Sequence, residues 1–93
     1  MMNEQTQLSA SQEDYLEAVY HIASEKKVAR AKDIAKRLDV RASSVTNALR
    51  VLSSLGLINY APYDLITLTD AGLTAAREIV GRHEALANFL VIV

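Results

Sequence analysis

Residues 31–60 read Ala31-Lys32-Asp33-Ile34-Ala35-Lys36-Arg37-Leu38-Asp39-Val40, then Arg41-Ala42-Ser43-Ser44-Val45-Thr46-Asn47-Ala48-Leu49-Arg50, then Val51-Leu52-Ser53-Ser54-Leu55-Gly56-Leu57-Ile58-Asn59-Tyr60. Ala31, Ile34, Ala35 and Leu38 recur at the helical spacing of roughly 3.6 residues, and after Asp39-Val40 the stripe resumes as Val45, Ala48, Leu49, Leu52 and Leu55. Two helices joined by a turn of two or three residues can therefore bury one face each against a common core. The second stops at Gly56, the residue best suited to the left-handed conformation that satisfies a helix's last carbonyls. The period then changes. Leu57, Ile58 and Tyr60 suit a short strand, Ala61-Pro62-Tyr63-Asp64 a turn with Pro at its second position, and Leu65, Ile66, Thr67 and Leu68 a returning strand. Helix, turn, helix, hairpin is the winged helix-turn-helix order. The expected fold class is mainly α with a small β-hairpin, followed by a long C-terminal helix.

In such a fold the second helix enters the DNA major groove by its N-terminal residues, with the hairpin wing along the phosphate backbone. Arg41, Ser43, Ser44, Thr46, Asn47 and Arg50 supply donors and acceptors on its outward side. Asn and Arg have bidentate base pairings, and Ser and Thr serve bases or phosphates. Ser43 and Ser44 also suit a plain helix cap. Capping accounts for one hydroxyl but not for the lack of any acidic residue between Arg41 and Leu55.

Charge is segregated. Residues 1–25 carry a net −5, residues 26–50 a net +6 and residues 51–93 a net −2. The positive block coincides with the helix-turn-helix, although a pI near 6.1 is not that of a uniformly basic nucleic-acid binder. Ninety-three residues make one small domain, near the size at which a partner subunit often adds stability. The absence of cysteine excludes disulfides and thiolate metal sites. Met1 to Gln12 is polar, unlike a signal peptide, and no apolar run approaches the roughly 20 residues of a bilayer span, so a cytoplasmic protein with no membrane partner is expected. No nucleophile motif, glycine-rich phosphate loop or cofactor signature points to an enzyme.

The first helix is expected to begin near Ser11, where Ser11-Gln12-Glu13-Asp14 resembles a capping box, and Leu16, Val19, Tyr20 and Ala23 give it a core face. Asp14 and Glu17 lie close on another face, with His21 on the same side, and their mutual repulsion calls for a positive partner. The last helix starts at Thr69-Asp70, a good cap, and carries Leu73, Ala76, Val80, His83, Ala87 and Leu90 as a seam. A lone His in such a seam is more often a hydrogen-bonded core residue than a ligand. Carboxylates with imidazole and no sulfur are nevertheless a sensible partial shell for Mn²⁺ or Fe²⁺.

Glu13-Asp14-Tyr15-Leu16-Glu17, Asp33-Ile34-Ala35, Ser43-Ser44-Val45-Thr46, Gly56-Leu57-Ile58, Leu68-Thr69 with Gly72, and Arg82-His83-Glu84 together resemble the N-terminal part of the diphtheria toxin repressor family of metal-activated transcription factors. The resemblance spans about nine-tenths of the chain. It implies that Asp14, Glu17 and His83 correspond to metal positions of the manganese-responsive branch, the iron branch usually having Met at the Asp14 position. It also implies a homodimer on a palindromic operator of double-stranded DNA, repressing metal-uptake genes. The family's remaining ligands lie on a later helix, so the Mn²⁺ (alternatively Fe²⁺) site is incomplete within this chain. Ala87 stands where the iron branch has a carboxylate of an ancillary site, and Asp64-Leu65 where relatives have a basic or small residue followed by Gly. The expected division is a DNA-binding domain over 1–72 and, over 73–93, a long helix leading into a dimerisation domain that is truncated or absent. The apolar end (Leu86, Phe89, Leu90, Val91, Ile92, Val93) suits burial against another surface. A winged-helix module without metal control, reading DNA or binding protein, is the alternative.

Overall fold

The computed structural model describes residues 8–92, with side chains as far as Ala85. Its elements are α1 (Ala10–Lys26), β1 (Ala29–Arg30), α2 (Ala31–Leu38), α3 (Ala42–Ser54), β2 (Ile58–Ala61), a single 3₁₀ turn (Pro62–Asp64), β3 (Leu65–Leu68) and α4 (Asp70–Ile92). This is the mainly helical winged helix-turn-helix that the periodicity predicts.

The first helix starts two residues earlier than expected. Ser9, not Ser11, is its cap: Ser9 Oγ accepts from the Gln12 amide at 3.1 Å while the Ser9 amide donates to Gln12 Oε1 at 2.9 Å. The Ser-x-x-acceptor spacing occurs twice in register, and the earlier copy gains a reciprocal bond while adding a further half-turn of helix. Asp14 is thereby carried out of the capping turn. The side of α1 that meets the core is offset from the expected positions: Leu16 and Val19 are buried together with Tyr15, Ala18 and Ile22, whereas Tyr20 and Ala23 are only partly buried.

Asp39 closes α2 in the left-handed conformation (φ 57°), which short polar side chains tolerate, with the Val40 amide donating to the Ala35 carbonyl at 3.1 Å. Helix α3 ends as expected. Gly56 takes φ 77°, its amide donates to Ser53 and the Leu57 amide to Leu52, the paired bonds of a Schellman cap. Ile34, Val45, Leu49 and Leu52 form the centre of the core with Leu16, Val19 and Ile66, and none of the buried core residues is polar or charged. Leu55, expected in the stripe, is instead the residue that caps α3, and it is 45% exposed.

Strand β1 was not legible. Two residues carry no readable alternation, and their strand character comes only from antiparallel pairing with β3, Ala29 opposite Ile66 and Arg30 opposite Leu65. The sheet order is β1-β3-β2, with Ile58 opposite Leu68 and Ala61 opposite Leu65. The wing turn spans Pro62, Tyr63 and Asp64, while Ala61, expected in the turn, is the last residue of β2 and pairs with Leu65. In the absence of glycine, Tyr63 (φ 66°) and Asp64 (φ 59°) both adopt positive φ.

Thr69 caps α4, as expected, its Oγ1 accepting from the Gly72 amide at 3.0 Å and donating to the Gly56 carbonyl at 2.6 Å. The face that packs is offset from the expected seam: Gly72, Ala76 and Ile79 are buried, Leu73 and Val80 only partly, and His83 is exposed. Gly72 sets the offset. A Cβ there would overlap the Leu57 carbonyl, so its bare backbone lies directly on the segment entering β2. Ala87, Leu90 and the rest of the apolar end lie outside the described side chains. Among the described residues no helix is long and apolar enough to cross a membrane.

Candidate DNA interface and metal-ligating cluster

The two candidate sites lie on different faces, and α1 and α3 position them. On α3, Arg41, Ser43, Ser44, Asn47 and Arg50 are exposed. Arg41 is the N-cap, contributes no side-chain cap, and no acid occupies the first turn. Capping therefore explains neither serine hydroxyl, correcting the expectation that it would account for one. The first amides of α3 and the positive end of its dipole are left facing outward, the arrangement that suits a phosphate oxygen. Thr46 is turned differently: it is half-buried, and its Oγ1 donates to the Ala42 carbonyl at 3.1 Å.

Tyr60 ties the wing to this helix, a role that the sequence pattern of β2 concealed. Its hydroxyl donates to Asp64 Oδ1 at 3.2 Å across the wing turn. Burial, then the charge of Asp64 and the bond to it, push the phenol above its usual range, against opposing pulls from Thr46 and Arg50. Arg50 and Thr46 of α3 and Asp64 of the wing thus meet around one phenol. Tyr63 at the wing tip is 88% exposed.

The second cluster lies where α1 meets α4. Adjacent residues of α4 engage carboxylates one turn apart on α1: Arg82 Nη2 donates to Glu13 Oε2 at 3.1 Å, and His83 Nδ1 lies 3.1 Å from Glu17 Oε1. His21 Nε2 stands 3.4 Å from the other oxygen, Glu17 Oε2, and its ring meets Tyr20 edge-on at 5.5 Å. The partner foreseen for the Asp14–Glu17 pair meets Glu17 as His83, while Arg82 meets Glu13, a contact that the sequence reading did not single out. A cleft of about 140 Å³ beside them is lined by Asp14, Glu17, Ala18, His21, Arg37 and Leu38. The fold brings Glu17 and His83 together. Asp14 borders the same cleft from an exposed position, and among the described residues no three His, Asp or Glu side chains are gathered about one point as a metal site. As a donor set, Glu17 and His83 fit a divalent cation: two cis ligands at about 2.1 Å from an octahedral ion stand roughly 3.0 Å apart.

The model of the iron-dependent repressor N-terminal DNA-binding domain matches residues 7–65, from three residues before α1 to the first residue of β3. The chain belongs to that family. An HTH-type transcriptional regulator of Methanocaldococcus jannaschii is 40% identical over 85 residues, covering 90% of this chain and 68% of that protein. The HTH-type transcriptional regulator MntR of Bacillus subtilis is 40% identical over 83 residues, covering 89% of this chain and 58% of MntR. Among solved structures, Staphylococcus aureus MepR bound to DNA superposes with a TM-score of 0.77 at 27% identity, over 95% of this chain and 66% of MepR. This repressor domain therefore spans between about half and two-thirds of the length of these relatives. The resemblance to the diphtheria toxin repressor family, carried by Glu13–Glu17, Ser43–Thr46 and Arg82–Glu84, is that of a family member.

Proposed function

We propose that this chain is the DNA-reading part of a metal-responsive transcriptional repressor, a binding protein and not an enzyme. The observation that carries the reading is the first half of α3: no capping side chain, no acid, and exposed Arg41, Ser43, Ser44, Asn47 and Arg50. Asn47 and Arg50 would read base edges, Arg41 and the serines would hold phosphates, and Thr46 would brace the wing through Tyr60. A homodimer would set two such helices about 34 Å apart in successive major grooves of a palindromic operator of metal-uptake genes. In this reading residues 1–72 form the DNA-binding unit and residues 73–93 lead toward the dimerisation part, in the cytoplasm where the DNA is.

Mn²⁺, or alternatively Fe²⁺, would be held by Glu17 and His83 with Asp14 from the same face of α1, the set being completed outside these residues. The ion supplies positive charge that joins α1 to α4. Glu17 lies on α1, which also packs against α2 and α3. Fixing it to His83 favours one placement of the helices, and only such a preference between placements can shift DNA affinity. The test is an anisotropy titration into a family-type palindrome and a scrambled duplex at two salt concentrations, with Mn²⁺ or chelator. Metal-dependent preference for the palindrome supports the reading, and a response unchanged in His83→Ala refutes the role of the metal. One observation favours a second reading, DNA binding without metal control: Asp14 is not gathered with Glu17 and His83. Equal binding with metal and with chelator would select it.

A further inference from the structure

The wing turn carries no cation. Its residues are Pro62, Tyr63 and Asp64, all exposed, and Ala61 and Leu65 close it on either side. A hairpin laid along a phosphate backbone with a lone carboxylate at its tip would be repelled by the strand it follows. Two features of the sheet answer this. Asp64 Oδ1 accepts from the Tyr60 hydroxyl at 3.2 Å, which ties the carboxylate to β2. On the opposite edge of β3, β1 brings in a cation from residue 30. Ala29 is buried and Arg30 exposed, as alternation along a strand requires, and Arg30 lies opposite Leu65, which in turn lies opposite Ala61. Cross-strand partners project from the same face of a sheet. Arg30, Leu65 and Ala61 therefore form one outward row at the wing end, while Ala29, Ile66 and Tyr60 form the row that packs on the core. Neighbouring strands are about 4.8 Å apart, so Arg30 stands one strand spacing from the residue that follows Asp64. Among the described residues Arg30 makes no ion pair, and the acid in the first turn of α2, Asp33, is held by Lys26 at 3.7 Å. Nor does Arg30 serve its own helix. As N-cap of α2 it makes no side-chain capping bond, and a cation at that end opposes the helix dipole.

We propose that Arg30 is a phosphate contact of the DNA interface and supplies, from β1, the positive charge that the wing turn lacks. The inference rests on the proposed DNA-reading function and deepens it by extending the interface from α3 across the wing to β1. Helix α3 packs on β2, and the sheet order β1-β3-β2 makes β1 the strand farthest from it. Two strand spacings, about 10 Å, thus separate Arg30 from the strand beside α3. The phosphate it meets lies across the wing from those assigned to Arg41 and the serines of α3. Such a contact fixes how the domain sits on the duplex and carries no base information, so it strengthens binding to any sequence alike.

The experiment is an anisotropy titration of the intact chain with Mn²⁺ into the family-type palindrome and the scrambled duplex, from about 50 to 200 mM salt. The proteins are the unsubstituted chain, Arg30→Ala, Arg30→Lys and Arg41→Ala, each shown to be folded by far-UV circular dichroism. Arg30→Ala should lower the slope of log K against log salt by about 0.9 on both duplexes, so that over this range it loses about three- to fourfold less affinity than the parent loses. Its preference for the palindrome should be unchanged, and Arg30→Lys should keep the parent's slope, because a point charge suffices for a phosphate. Replacing single phosphates by neutral methylphosphonates locates the contact: one position should weaken the parent and Arg41→Ala but leave Arg30→Ala indifferent. If Arg30→Ala keeps the parent's slope while Arg41→Ala lowers it, Arg30 is a solvated surface residue and the inference is overturned alone. If the unsubstituted chain binds neither duplex in a salt-dependent way, the DNA-reading proposal fails with it.

Discussion

Replacing Gly72 by alanine tests how α4 is positioned. The added Cβ would stand 2.8 Å from the Leu57 carbonyl carbon and closer still to its oxygen. Ordinary carbon contacts are about 3.5–4.0 Å, so the start of α4 must retreat by roughly 1 Å. That movement strains the Thr69 bonds to Gly56 at 2.6 Å and to the Leu57 carbonyl at 3.1 Å. Overpacking costs about 1–3 kcal/mol and two weakened hydrogen bonds about 1 kcal/mol each, against less than about 1 kcal/mol recovered from alanine's better helix propensity. The expected loss is about 2–5 kcal/mol, a fall in Tm of at least roughly 10 °C for a domain of this size. Gly81→Ala is the internal control. Nothing lies near its Cβ, so the same substitution on the same helix should raise Tm by a few degrees, worth about 0.5–1 kcal/mol. Thermal and urea unfolding followed by circular dichroism measure both. His83 lies eleven residues beyond Gly72, roughly 16 Å along the helix, so tilting at the pivot also loosens the His83–Glu17 contact. If Gly72→Ala is as stable as the parent or more so, the close approach to Leu57 does not set the position of α4, and the account of the offset seam is wrong.

Asn47→Ala and Arg50→Ala should each cost about 1–3 kcal/mol of discrimination between palindrome and scrambled DNA, whereas Arg41→Ala should weaken both duplexes alike and reduce the salt slope by about 1, all read by anisotropy. Ser9→Ala should cost about 1 kcal/mol of stability and Ser11→Ala almost nothing in chemical denaturation, the reverse order from a helix beginning at Ser11. The raised phenol of Tyr60 stabilises the fold fully below the ordinary tyrosine value near 10, and that contribution is lost as pH rises through the higher folded value. Ultraviolet titration should therefore show one tyrosine ionising late, and Asp64→Asn should bring it earlier.

The order of elements was legible because it is written in contacts between residues at most four apart. The apolar spacing of Ile34 and Leu38 or of Val45, Leu49 and Leu52, the left-handed stop at Gly56 and the hydroxyl cap at Thr69 are each local. So is the acid-free opening of α3, which fits the DNA partner that the winged helix-turn-helix order suggests. Where two local solutions were nearly equivalent, as with the Ser9 and Ser11 boxes, the sequence named the motif but not its frame.

What only the tertiary structure decided depends on residues far apart in the chain. Strand β1 exists because Ala29 and Arg30 meet Ile66 and Leu65. The buried face of α4 is set by the close approach of Gly72 to Leu57, and that choice of rotation brings Arg82 to Glu13, 69 residues earlier, and His83 to Glu17. Periodicity gives a helix its apolar stripe to within about one position, yet neighbouring positions differ by 100° around the axis. Only packing against α1 and the segment before β2 fixes that rotation, and with it which imidazoles share a carboxylate.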